Sequence, residues 1–209
     1  MAPIEKIMKD LADKRPLFHS EADFQHALAW EIHTRYPSAT VRLEVRPGRI
    51  GKREYIDIWI KNEDKIYAIE LKYKTRKIDV KYDAEKFHLL NQGAQDIGRY
   101  DFIKDIIRLE GFVDTYPKSI GYAIILTNDD GYWKAARRLA TVDADFRIHE
   151  GRTLERKLKW SRDASKGTMK GREEPLGLKG VYSLRWLDYY KLPDAGPNQF
   201  RYLLLKIQR

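Results

Sequence analysis

Asp57 stands in the middle of Tyr55-Ile56-Asp57-Ile58-Trp59-Ile60, where β-branched and aromatic neighbours predict a strand. Aspartate is disfavoured in such a run, so some interaction must compensate for it. The next apolar stretch, Ile66-Tyr67-Ala68-Ile69-Glu70-Leu71-Lys72-Tyr73, alternates with period two and sets Ile66, Ala68, Glu70, Lys72 and Lys74 on one face. That face begins apolar and ends in three charges, the pattern of a strand that leaves a core and enters a site. A hairpin closed within the polar segment Lys61-Asn62-Glu63-Asp64-Lys65 sets Asp57 opposite Glu70. Directly opposed side chains have Cβ atoms roughly 4.5–5.5 Å apart, where two carboxylates repel unless a proton or a cation lies between them. Lys72 supplies one cation, and a divalent metal would supply a stronger one. Oxygen ligands from Asp57 and Glu70, joined by the Leu71 carbonyl, suit Mg²⁺, with Mn²⁺ as a substitute. Mg²⁺ takes only one or two carboxylates and completes its shell with water and phosphate oxygens. The alternative is a solvated strand end with a Glu–Lys pair worth ~0–1 kcal/mol, which leaves Asp57 unexplained.

The elements that must position these residues follow from periodicity. Ser20 reads as a helix N-cap with Asp23 three residues on, and Phe24, Leu28, Ile32 and Tyr36 recur at helical spacing until Pro37. Val41, Leu43 and Val45 alternate with Arg42 and Glu44, giving a first strand that ends in a turn at Pro47 and Gly48, with Glu44 directed to the surface. Tyr55 to Ile60 and Ile66 to Tyr73 are the second and third strands. Asp83 to Glu110 reads as helical, in two pieces broken near Gly93 or Gly98, followed by a buried strand from Ile120 to Thr127 and a short helix from Gly131 to Leu139. The chain closes with Val181 to Tyr190 and a strand from Phe200 to Ile207. The expected fold is α/β, a central mixed sheet flanked by helices. Its 209 residues suggest one domain, with a core over about 20–147 and a basic, β-rich C-terminal elaboration over about 148–209.

Asp57, thirteen positions before the Glu70-Leu71-Lys72 tripeptide at the end of a hairpin strand, with an acidic helix N-terminal to it, resembles the PD-(D/E)XK nuclease superfamily. Restriction enzymes and archaeal Holliday junction resolvases share that restriction-endonuclease-like fold. The likeness spans about residues 20 to 127, and Ile56 stands where the motif's name has proline. The resemblance implies that Asp57 and Glu70 bind metal, that Lys72 orients or helps deprotonate the attacking water, and that a helix glutamate assists. Glu21, in the first helical turn, fits that last role, with Glu31 in reserve. RecB-like members carry a Gln and a Tyr four apart on the next helix, whereas Gln95 and Tyr100 are five apart here. The resemblance further implies cleavage of DNA by an endonuclease and, for cutting two strands, a homodimer.

Composition agrees with a polyanion partner. Lys and Arg number 40 against 31 Asp and Glu, a net charge of +9, and residues 151–180 alone hold nine basic side chains against four acidic ones. That segment reads as a long basic hairpin or mobile loop whose Arg152, Arg156, Lys157, Lys159, Lys166 and Lys170 grip a phosphate backbone while Trp160 stacks on a base. Gln92 and Arg99 are further contact candidates from the helical region, and Asp101, Asp105 and Arg108 read as an intrahelical charge ladder without chemistry. Phosphate contacts do not identify the sugar, so RNA stays open as a substrate. The absence of cysteine excludes disulfides, thiolate metal sites and a cysteine nucleophile; the five histidines form no ligand cluster by spacing. The stretch Met1 to Leu17 is amphipathic without a continuous apolar run, so a cytoplasmic protein without membrane contact is expected.

Overall fold

The computed structural model describes residues 4–47, 55–138, 140–193 and 196–209. Two helices come first. In α1 (Ile4–Lys14) the apolar stripe Ile4, Ile7, Met8 and Leu11 is buried. In α2 (Glu21–Arg35) Ser20 Oγ accepts the Asp23 amide at 3.1 Å, and Asp23 in return accepts the His19 amide at 2.9 Å, which satisfies first-turn donors. Then follow β1 (Thr40–Val45), β2 (Ile56–Asn62) and β3 (Lys65–Lys74), the small hairpin β4 (Ile78–Tyr82) and β5 (Glu85–Leu89), helix α3 (Gln95–Thr115) and β6 (Ser119–Thr127). The C-terminal part has short strands β7 (Thr153–Leu154) and β8 (Lys157–Leu158), one helical turn α4 (Lys166–Met169), β9 (Leu176–Gly177) and β10 (Tyr182–Ser183). The long strands β11 (Trp186–Lys191) and β12 (Gln199–Ile207) close it.

A mixed six-stranded sheet, ordered β1-β2-β3-β6-β12-β11, forms the centre. Its neighbours run antiparallel except β3 and β6, which are parallel. This parallel pair reads as near-continuous apolar sequence because helices cover both faces. Ile69, Leu71 and Tyr73 of β3 join Ile124 and Leu126 of β6 in one core with α1 and α2, whereas Ala68, Ala123 and Ile125 join Phe102, Ile106 and Leu109 of α3 in the other. No helix among the described residues is long and apolar enough to cross a membrane.

Four expectations need correction. Residues from Asp83 to Leu89 are not helical but complete the β4–β5 hairpin, whose two-residue turn puts Asp83 (φ 47°) and Ala84 (φ 65°) in left-handed backbone. Such turns usually announce themselves by Asn-Gly or Asp-Gly, and here alanine occupies the second position. Helix α3 then runs unbroken through Gly98, where the Tyr132 hydroxyl occupies the space a Cβ would need. The segment from Gly131 forms turns instead of a helix: Asp129 Oδ1 accepts the Gly131 amide at 3.0 Å, and the Tyr132 and Trp133 side chains are both buried. Its predicted end, Leu139, lies outside the described residues, as does the Gly48 turn. Residues 151–180 are a packed segment: β7 pairs with β10, β8 with β9, and Leu154, Leu158, Trp160, Leu176 and Leu178 enter the α3-side core.

Candidate functional site

The β2–β3 ladder has the register the hairpin argument gives, with Ile60 opposite Tyr67 and Ile58 opposite Ile69, and it ends there. Asp57 does not continue the backbone ladder. Its Oδ2 accepts the Leu71 amide at 2.7 Å, and two residues further Glu21 Oε2 accepts the Tyr73 amide at 2.8 Å. Side-chain carboxylates thus take over from β2 along the open edge of β3, which compensates for an aspartate in a strand and an orphaned donor at once. β2 turns over at this point: Ile58 belongs to the core under α2, whereas Ile56 belongs to the core under α3.

Glu70 is 1% exposed. Arg108 Nη1 forms an ion pair with its Oε2 at 2.8 Å, while Oε1 has no hydrogen-bond partner among the described residues. Lys72 Nζ lies 2.8 Å from Asp105 Oδ2 and 3.3 Å from the Leu71 carbonyl, and Arg108 also approaches Asp105 at 3.3 Å. The result is a compact group of three carboxylates and two cations between β2, β3 and α3. On its other side Gln25 of α2 donates to the Asp57 carbonyl at 2.8 Å and to Glu44 Oε1 at 2.7 Å.

The charges of this group are far from their ordinary state. Burial pushes the Asp57 carboxyl up to about 6, with Asp105 and Glu44 adding to the shift and the Leu71 amide and Lys72 opposing it. Burial, then Asp105 and Asp57, hold Glu70 well above the carboxylate range despite Arg108. Burial also raises Asp105 against the pull of Lys72 and Arg108. For Lys72 burial works against the charge, but Asp105, Glu21 and Asp57 outweigh it and keep the ammonium protonated well above neutral pH. In the metal-free arrangement Lys72 is thus held as a cation against Asp105.

Comparison with protein-family models, with curated proteins and with solved structures finds no match to this chain. The site is therefore read from its own chemistry.

A divalent ion fits that chemistry in part. Glu70 Oε1 is a buried acceptor without a partner among the described residues, and burial and mutual repulsion disfavour the ionised carboxylates that a metal would stabilise. Asp57 and Glu70 supply two carboxylates, the number Mg²⁺ commonly takes. Among the described residues no three His, Asp or Glu side chains are placed to hold one ion together.

Among the sequence candidates, Asp57, Glu70, Leu71, Lys72 and Glu21 meet along one strand edge. Glu31 does not: it is buried between Lys14 (2.7 Å) and Arg35 (2.9 Å), a structural ion-pair triad. Arg99 is 2% exposed, with Nη1 2.6 Å from Asp143 Oδ2 and Nη2 2.7 Å from the Gly131 carbonyl, so its guanidinium is engaged within the protein although the residue lines the same cleft as Gln92. Arg152 spends its guanidinium on the Ala144 and Asp145 carbonyls at 2.6 and 2.8 Å. Trp160 is 7% exposed, donates to the Arg172 carbonyl at 2.8 Å and stacks on Tyr100, so it is a core residue instead of a base platform. Arg156, Lys157, Lys159, Lys166 and Lys170 are exposed, and Gln92 lines an open cleft of about 420 Å³ with Arg76 and Gln95. Sequence reasoning missed Asp105 and Arg108, whose roles depend on α3 lying over β3. It also missed Gln25 and Glu44; the latter has left-handed backbone (φ 51°) beside Asp57. The available signal was two charges three apart, Asp105 and Arg108, flanking the buried Ile106 and Leu109.

The raised Asp57 carboxyl predicts how stability of the metal-free protein varies with pH. A group whose folded pKa lies above its unfolded value, 3.8 here, contributes stability that is complete below that value and is lost as pH rises through about 6. Asp57→Asn keeps an oxygen for the Leu71 amide and removes the charge. In EDTA the variant is expected to exceed the parent at pH 8 by on the order of 2 kcal/mol, after discounting for water at the site, with the advantage vanishing near pH 4. Urea unfolding at the two pH values measures this; equal stability of the two proteins at pH 8 would rule out a charged, desolvated Asp57.

Proposed function

We propose that this protein is a metal-dependent nuclease of the PD-(D/E)XK type, with a restriction-endonuclease-like core, that hydrolyses phosphodiester bonds in DNA. The observation that carries this reading is the meeting of Asp57 and Glu70 where β2 leaves β3, with Glu70 Oε1 buried and unpartnered and a charged Lys72 two residues on. Asp57 and Glu70, with the Leu71 carbonyl, would hold Mg²⁺ or Mn²⁺. Such an ion acidifies a bound water and neutralises charge on the scissile phosphate. Lys72 would orient the attacking water and offset the charge that grows on the phosphoryl oxygens. Asp105 holds the ammonium in position, Arg108 offsets the charge of Glu70, and Glu21 fixes the strand edge through the Tyr73 amide.

A panel of single-stranded, duplex, flapped and four-way DNA incubated in Mg²⁺ tests the reading. The parent cuts at least one substrate and Glu70→Gln does not.

A second reading has its own support. The closed pairs Lys72–Asp105 and Arg108–Glu70 already neutralise much of the site, as in a nucleic-acid-binding module that has lost hydrolysis. It predicts salt-sensitive DNA binding with no metal-dependent cleavage of any substrate in the panel.

A further inference from the structure

The sheet face that carries the carboxylates is not covered evenly. Helix α3 packs over β3, β6 and β12, and the outer strands β1 and β2 lie beside it. Beyond α3, among the described residues, this face carries Arg42 and Lys61, both exposed, and Trp59, which is half-buried against the α3-side core. Trp59 is opposite Arg42 on one side and the small Ala68 on the other. Its indole N–H has no hydrogen-bond partner among the described residues. Neither Arg42, whose Nη1 donates to the Val41 carbonyl at 3.0 Å, nor Lys61 has an ion-pair partner among them. A half-buried ring anchored in the α3-side core and flanked on its sheet face by two cations without ion-pair partners offers a stacking surface beside phosphate-binding charge.

Trp59 stands two residues from Asp57, about 7 Å along the strand, which is the reach of one nucleotide. In a duplex the π-faces of the bases are hidden in the stack, so only an unpaired base can use such a ring. We propose that Trp59, with Arg42 and Lys61, is a stacking platform for an unpaired nucleotide next to the scissile phosphate, and that the preferred substrate has a single-stranded segment at the cut. This deepens the nuclease reading and rests on it for the position of the cut. The cations attract the strand whatever its sequence, while the ring rewards an exposed base, so the surface selects strandedness over sequence.

Fluorescence anisotropy of labelled oligothymidylate and of a blunt hairpin duplex of matched length, in EDTA, tests the platform directly. Trp59→Ala is expected to weaken single-strand binding about 10-fold while duplex binding changes less than about 2-fold, and Trp59→Phe to retain most of the affinity. Arg42→Gln, at an exposed position that does not threaten folding, is expected to weaken both ligands a few-fold with a shallower salt dependence. Equal loss for both ligands in Trp59→Ala, or no loss for the single strand, overturns the platform. If Glu70→Gln still cuts DNA while Trp59→Ala loses single-strand binding selectively, the platform stands and the assignment of the cut site fails. If the parent cuts and Trp59→Ala processes single strands as well as the parent does, the platform alone fails.

Discussion

Lys72→Met is expected to lower Mg²⁺-dependent cleavage about 100- to 1,000-fold, the loss that follows removal of one preorganised charge aimed at a transition state. The methionine stem preserves the volume of the lysine and deletes only the ammonium. That ammonium is held 2.8 Å from Asp105 Oδ2 and is kept charged by Asp105, Glu21 and Asp57 against the cost of burial. Because Lys72 is a cation and not a ligand, the variant should bind Mn²⁺ at least as well as the parent in a calorimetric titration, the electrostatic repulsion having been reduced. A rate within a few-fold of the parent would remove Lys72 from the chemistry. Loss of metal binding together with rate would mean that the site had collapsed, and Lys72→Arg, which restores charge without the geometry, separates the two: it recovers metal binding but little rate.

Arg99→Met should destabilise the fold by about 3–5 kcal/mol and leave nucleic-acid affinity unchanged. The guanidinium is buried with Asp143, itself 3% exposed, and also donates to the Gly131 carbonyl. Truncating one partner strands the other charge. Arg147, 3.1 Å from Asp143 Oδ1, remains as a partial substitute and moves the expected loss toward the lower end of that range. Urea unfolding gives the loss, and anisotropy on the folded variant gives the affinity. A variant as stable as the parent would show that the pair contributes nothing beyond its desolvation cost, and one that weakens DNA binding by an order of magnitude would return Arg99 to the substrate surface.

The legible part of this chain was local. The helix from Glu21 carries its own cap at Ser20, and the polar segment between Ile60 and Ile66 by itself sets the β2–β3 register. From that register came the proximity of Asp57 to Glu70. Less legible was what the tertiary fold adds. The β4–β5 hairpin has a turn without glycine, so nothing local marks it. Asp105 and Arg108 acquire meaning only when α3 crosses β3, and a residue pair on one helix face looks the same whether it faces water or a buried glutamate. The same holds for Arg99 and Trp160, a cation and an aromatic in a basic chain, whose burial with Asp143 and Tyr100 depends on partners from other elements. Charge in a sequence indicates a class of partner, and only packing decides which cations remain at the surface to meet it.

The account rests on Asp57 and Glu70 acting together on a phosphodiester. Its most direct test is the Mg²⁺ dependence of DNA cleavage by the parent and by Glu70→Gln, a change that keeps the shape of a side chain 1% exposed and removes its charge. The prediction is cleavage that requires the metal in the parent and is absent in the variant, with both proteins folded by circular dichroism. Equal cleavage by the two proteins, or cleavage by the parent in EDTA, would contradict it.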